Sequence, residues 1–387
     1  MRHSMDTRNV MQAGLAAAAL TGPLVFAGMP AQAALPAHVA PRQAVTATAG
    51  GRWALQRSPH PPGTVAPTFQ GVSCTSAEFC MAVGEDNAKG ALAEEWDGTR
   101  WVVQPTPGAA DTFPIAVSCT SARACTMVGR DNAGGVVRIE RWNGSRWGYQ
   151  TSAPGGFSLT GVSCASAGWC MAVGTAVSNG IYGPFSESWD GRTWTARSVP
   201  APTGGMAMDS VSCLSRTSCM AIGEAGTAVA ESWNGVAWTL GPAPVTPAQA
   251  TAETLDSVSC VHTQECIAVG TYMVGNQQHA LAEAWKGTDW SLMTVPQALQ
   301  VAFNGVSCDQ GGRCTAAGYQ STRNGNYQVA AEDWSGTAWT LDTTVVVPGS
   351  TQLSDFYGIS CGDNACTAVG RKELLTNKSG LLAEQRR

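Results

Sequence analysis

The chain has 387 residues, 13% of them charged, and a formal net charge of −5 with acidic and basic residues interspersed. No basic block is present, which argues against nucleic acid as a partner. Glycine (44) and proline (20) are frequent, a composition that suits a turn-rich β protein.

The first segment reads as an export signal. Arg2, His3 and Arg8 give a positive start, an apolar stretch runs from about Val10 to Met29, and Ala31-Gln32-Ala33 supplies small residues ahead of a cleavage point. Residues 1–33 are expected to be a signal peptide and 34–50 a flexible linker, so the mature chain is expected to be secreted. Gly22-Pro23 interrupts the apolar run and no later stretch is long enough to cross a bilayer. No membrane span is therefore expected in the mature chain.

From residue 51 to 387 one unit recurs. All 14 cysteines fall into seven close pairs: Cys74/Cys80, Cys119/Cys125, Cys164/Cys170, Cys213/Cys219, Cys260/Cys266, Cys308/Cys314 and Cys361/Cys366. Successive pairs lie 45 to 53 residues apart, the size of a four-stranded propeller blade. Each unit reads Val/Ile-Ser-Cys, then the second Cys, then Gly four positions later. Six units continue to Glu-x-Trp-x-Gly-x-x-Trp, as in Glu94 to Trp101; these hold 12 of the 14 tryptophans, Trp53 lies in a partial copy of the motif, and only Trp169 is outside it.

Four strands, A to D, are predicted per unit. In the first they fall near Phe69–Cys74, Cys80–Gly84, Ala91–Trp96 and Trp101–Gln104. Asp97-Gly98 and its counterparts predict a tight C–D hairpin, because both residue types tolerate positive φ. The two tryptophans then pack across the hairpin. The cysteine pairs are expected to bridge the A–B hairpin in an oxidising compartment, each as a local staple. Paired histidines are lacking, so no metal is expected.

The last unit stops at Glu384-Gln385-Arg386-Arg387, before its tryptophan strand. Gly51-Arg52-Trp53-Ala54-Leu55-Gln56 matches Thr99 to Gln104 and supplies the missing strand. The expected fold is all-β: a seven-bladed β-propeller with blades starting near residues 69, 115, 159, 208, 255, 303 and 356, closed when residues 51–57 complete the last blade. A monomer is expected. In architecture the pattern resembles the kelch, Asp-box and WD-repeat propellers. Trp189-Asp190-Gly191-Arg192-Thr193-Trp194 is similar to an Asp-box with its Asp and Gly adjacent. The resemblance carries over no catalytic residue.

Seven glutamates recur on strand C: Glu94, Glu140, Glu187, Glu231, Glu283, Glu332 and Glu384. A group present in every unit reads as structural, an acceptor for the recurring serine (Ser73 in the first unit), a backbone N–H or an indole. The A–B and C–D loops are uniform; the B–C loops and D–A connections vary. Variable loops on a repeated scaffold mark a binding face. Candidate ligand-binding residues there are Arg130, Asp131, Tyr182, Tyr272, His279, Tyr319, Arg323, Asn324, Tyr327, Asp355 and Tyr357. They point to a binding or interaction propeller for a glycan, cell-surface polymer or protein. The alternatives are a carbohydrate-active hydrolase or lyase, with Asp111, Asp131 and Asp355 as candidate acids, and a structural envelope or matrix protein. No cofactor motif is present.

Overall fold

The computed structural model describes residues 51–59, 63–108, 111–131, 135–178, 180–202, 205–296, 300–322, 325–342, 350–362, 365–374 and 379–387. The export signal, the linker, Arg323 and Asn324 lie outside these residues.

Each repeat folds as an antiparallel meander. In the first, Thr68–Ser76, Phe79–Asp86, Gly90–Trp96 and Trp101–Val103 pair in chain order. Strand B is flanked on both sides and packed on both faces, so Cys80 to Val83 are buried without alternation. Six Trp–Trp pairs sit directly opposite one another across the C–D hairpins, as Trp96 does Trp101, with ring centroids 5.6–5.8 Å apart. Such pairs contribute about 0.5–1.5 kcal/mol beyond their burial.

The first five repeats form five separate four-stranded sheets. The expectation of seven separate blades is corrected here. The sixth and seventh repeats share one eight-stranded sheet, joined by a single parallel bridge between Tyr327 and Leu353. The cause is length. The seventh A strand, Ser350–Gly362, has 13 residues and reaches the start of the sixth C strand, Tyr327–Trp334.

A second irregularity recurs and explains the repeated glycine. The A–B register shifts within each A strand, as between Phe69 and Gly71. Beside that bulge, strand A presses on strand B so closely that a Cβ on Gly84 would lie 2.0 Å from the Thr68 carbonyl oxygen. A G84A variant is expected to lose about 1–3 kcal/mol, by forcing two backbones apart. A urea melt checks this; an unchanged midpoint would contradict the close approach.

All seven expected cysteine pairs are disulfides, with Cα–Cα distances of 3.9–4.0 Å. Each closes its own A–B hairpin, between cysteines five or six positions apart, and also touches the neighbouring repeat. The second cysteine of every pair (Cys80, Cys125, Cys170, Cys219, Cys266, Cys314 and Cys366) is buried, and its surroundings include strand B of the preceding repeat. What it meets there depends on the residue that follows the cysteine on that neighbouring strand. Where this is threonine, its hydroxyl faces the sulfur, which being bridged carries no proton and can only accept. Thr367 donates to Cys80 at 3.5 Å and Thr126 to Cys170 at 3.7 Å, whereas Thr315 lies 3.7 Å from Cys366 and donates instead to Asp333 at 2.7 Å. All seven of these cysteines sit in hydrophobic clusters, and where the neighbouring residue is apolar it belongs to the same cluster. Cys125 packs with Met81, Cys219 with Met171, Cys266 with Met220 and Cys314 with Ile267. The sulfurs of Cys125 and Cys314 then lie 4.0 and 3.9 Å from the carbonyls of Ser121 and Gly312 in their own A–B loops. Cys366 also accepts from Arg386 at 3.6 Å.

The backbone of the first cysteines carries another link. The N–H of each donates to the recurring serine of the preceding repeat at 2.9–3.0 Å: Cys119 to Ser73, Cys164 to Ser118, Cys213 to Ser163, Cys260 to Ser212, Cys308 to Ser259, Cys361 to Ser307 and Cys74 to Ser360. The last of these links the final repeat to the first. The seven contacts form a closed cycle. The serine therefore serves the neighbouring repeat, not the strand C glutamate as the sequence suggested.

Apolar packing follows the same cycle. Each cluster of buried side chains is shared by consecutive repeats, and one joins Val369, Leu381 and Ala383 to Phe69, Val72 and Trp96. At the seam Ala54 faces Gln385, Leu55 faces Glu384, and the Gln56 N–H donates to the Ala383 carbonyl at 2.8 Å. Trp53 is fully buried against Phe356 and Leu382, and its indole donates to Asp342 at 2.7 Å. Arg386 lies over the Trp53 ring, 5.3 Å from its centroid, and pairs with both Asp333 and Asp342.

Candidate binding face

A meander places the A–B and C–D loops at one end of each repeat and the B–C loops and D–A connections at the other. The first end is built repetitively. In the first C–D turn the Asp97 carboxylate accepts the N–H groups of Thr99 and Arg100, and Asn143, Asp190 and Asn234 do the same in the next three. Two clefts open at this end. One of about 340 Å³ is lined by Trp169, Asp190, Leu214 and Arg216, and one of about 180 Å³ by Leu214, Trp233, His262 and Trp285. None of the candidate ligand-binding residues lines them.

The other end is held from below by the recurring glutamates. All seven are buried. Glu94 accepts the Ser58 hydroxyl at 2.8 Å, Glu187 accepts the Ser152 hydroxyl at 2.8 Å and the Ala153 N–H at 2.7 Å, and Glu283 accepts the Val245 N–H at 2.8 Å. Each of these donors belongs to the D–A connection arriving from the preceding repeat. The glutamates of the first, third and fifth repeats thus clasp the connections that form the face. In Glu140, Glu231 and Glu332 both carboxyl oxygens are buried with no hydrogen-bond partner. Burial pushes Glu140 and Glu231 up to about 7 and Glu332 to about 8; Glu94 rises to about 8 and Glu283 to about 7, against their hydrogen bonds.

On that face the candidate residues fall into three groups. In the second repeat Asp131 pairs with Arg138 at 3.0 Å, whose guanidinium lies 4.2 Å from the Tyr149 ring centroid, and Arg130 is half-buried beside them. In the third repeat Tyr182 is 57% exposed near the tip of a long B–C hairpin and meets Phe157 edge-on at 6.1 Å.

The third group joins three repeats. Tyr272 stacks on His279 with centroids 5.0 Å apart. That stack faces the fourth repeat; on the opposite face of the same strand Gln278 accepts the Tyr319 hydroxyl at 3.2 Å. Tyr319 meets Tyr327 edge-on at 5.0 Å. In the seventh repeat Asp355 accepts the Tyr357 hydroxyl at 3.1 Å and pairs with Arg371 at 3.2 Å. Burial pushes the Tyr319 phenol above its usual range; the Gln278 bond opposes this, and Tyr327, Asp355 and Asp256 add to it. Tyr319 is thus the hub of a cluster that draws on the fifth, sixth and seventh repeats. Arg130, Asp131 and Tyr182 make none of these contacts.

Sequence reasoning missed Gln278, Arg371 and Asp256. Arg371 had a signal: it follows the recurring glycine Gly370 as Arg130 follows Gly129. Of the acids considered for hydrolysis, Asp131 and Asp355 are each tied to an arginine of their own repeat, and Asp111 is exposed. Among the described residues no group of three His, Cys, Asp or Glu side chains is placed to hold a metal ion.

Repeated four-stranded meanders, linked cyclically through their A strands and carrying no helix among the described residues, define an all-β propeller. Solved structures agree. The chain is similar to YCF48 bound to a D1 peptide (TM-score 0.59, 16% identity, 90% of this chain and 99% of that one covered). It is also similar to YCF48 from Cyanidioschyzon merolae (0.55, 14%, 86% and 98%). The WD40 β-propeller domain of Doa1 matches at 0.55 and 10%, over 85% of this chain and 96% of that one. At such identities the likeness shows the fold alone. No protein-family model and no curated protein sequence matches the chain. The kelch and Asp-box resemblance rests on the sequence only.

Proposed function

We propose that this is a secreted, seven-bladed propeller that captures a peptide or protein partner on its B–C/D–A face, centred on the Tyr319 cluster. The blade count treats the eight-stranded sheet as two blades joined at one bridge. Seven disulfides and the closed serine–cysteine cycle support that count. The disulfides also fit an oxidising, extracellular setting.

One observation carries the reading. A hydrogen-bonding side chain of the fifth repeat and a ring of the sixth meet at Tyr319, within reach of the Asp355 charge of the seventh, at the end where the loops vary. Such convergence is what an orienting site requires. A propeller of similar fold, YCF48, is known with a D1 peptide bound. Glycan capture is the second reading, favoured by the exposed rings of Tyr182 and Tyr327.

A peptide library and a glycan array probed with the same protein separate the two. The expected result is peptide retention, weakened about tenfold or more by Tyr319→Ala or Tyr327→Ala, the loss usual for an aromatic anchor. Glycan retention with no peptide retention would favour the second reading. Peptide binding untouched by both substitutions would remove the Tyr319 cluster from the site.

A further inference from the structure

We infer that the Tyr319 cluster receives a cationic side chain, Lys or Arg, of the peptide partner. This rests on the peptide-binding reading above and adds the chemistry of the residue that enters.

Two independent features of the face point to a cation. The first is the arrangement of rings. Tyr327 is 39% exposed and meets Tyr319 edge-on, on the side of the sixth repeat that faces Gln278 of the fifth. Tyrosine faces attract ammonium and guanidinium groups through the ring quadrupole. The second feature is charge. Asp256 is exposed at the bulge of the fifth A strand, and both it and Asp355 act on the Tyr319 phenol. From Ser198 to Trp285 the only Lys or Arg is Arg216, and it lies on an A–B loop at the opposite end. The face of the fourth and fifth repeats carries Asp209, Glu224 and Asp256 and, among the described residues, no basic side chain. Arg371 answers Asp355 on the far side of the cluster. A cation approaching Tyr327 from the fifth repeat therefore meets π faces and carboxylates together, and the acidic sector draws it in from solution.

Fluorescence anisotropy on the disulfide-intact protein tests this with three labelled peptides of equal length: Lys/Arg-rich, Asp/Glu-rich and Gly/Ser-rich. The Lys/Arg-rich peptide is expected to bind about tenfold or more tighter than the others, and to weaken as salt is raised. Asp256→Asn and Tyr327→Ala should each reduce its affinity about tenfold. Both positions are exposed, so thermal melts should show an intact fold. Glu265→Gln, an exposed acid on the fifth A–B hairpin, should leave affinity unchanged and so separate local from net charge. Equal binding of all three peptides that is still lost in Tyr327→Ala would overturn the cationic chemistry while keeping the peptide site. Tighter binding of the acidic peptide would do the same. Salt-sensitive binding of the basic peptide that falls equally in Glu265→Gln would show a diffuse charge effect and overturn the proposal. Retention of no peptide at all would overturn the peptide-binding reading itself.

Discussion

Replacing Arg386 by methionine is expected to cost about 3–5 kcal/mol of unfolding free energy, the loss typical when one member of a buried ion pair is removed. The guanidinium is 13% exposed and lies between Asp333 and Asp342, both contributed by the sixth repeat. It also donates to Thr315 at 2.9 Å and covers Trp53. Methionine keeps most of the apolar stem but leaves two carboxylates beside a buried indole with no cation between them. A urea melt at neutral pH measures the loss. The double variant R386M/D333N should recover part of it, because one stranded charge has gone. Deleting residues 51–57 removes the seam strand itself. That variant should be more damaging still, yielding aggregates or strand-exchanged dimers in size-exclusion chromatography. A methionine variant that melts with the wild type would show that the seam does not depend on this cluster.

The second large effect is a loss of stability with rising pH. Glu94, Glu140, Glu231, Glu283 and Glu332 have folded values of about 7 to 8, against 4.5 when unperturbed. Below about pH 4.5 both folded and unfolded chains keep these protons, and the groups contribute no pH dependence. Between about 4.5 and 8 the unfolded chain has shed protons that the folded chain still holds. Stability therefore falls across that window by about 1.4 kcal/mol per pH unit for each proton of difference. The melting temperature should be highest at mildly acidic pH and fall steadily to about pH 8.5. Glu332→Gln removes one ionisable site with little change of shape, so it should flatten the slope and gain on the wild type at alkaline pH. A melting temperature level from about pH 5 to 8.5 would show that these carboxyls ionise freely in the folded protein.

The repeat, the disulfide pairing and the facing tryptophans were legible because each is local. Cys74 and Cys80, or Trp96 and Trp101, lie within one hairpin, where spacing alone fixes the partner. The seam strand was legible for another reason. Trp53 carries a copy of a motif the last unit lacks, and a missing element names its own replacement. Contacts between repeats were not legible. Ser73 reaches Cys119 across 46 positions, and no periodicity distinguishes that partner from the glutamate of its own unit. The same holds for Thr126 on Cys170 and Thr315 on Cys366, where the staple of one repeat is finished by a hydroxyl of the one before. The cluster around Tyr319 was visible in part. Its tyrosines were found by composition and loop position, but Gln278, Asp256 and Arg371 are spread over separate repeats and look like ordinary polar residues in the chain. The join of the sixth and seventh repeats depends on the reach of one long strand past its own sheet, which nothing in the residue pattern marks.

The seam between Ala54–Leu55 and Ser379–Arg386 also sets an order of events during synthesis. The first of the described strands to be made pairs with the last of them. Every hairpin and its staple can form as it emerges, yet Trp53 has no resting place until Arg386 arrives. Closing the cycle therefore takes one long-range docking step, the slow kind of contact. Until then the nascent protein carries an unsatisfied edge that folding helpers would have to shield.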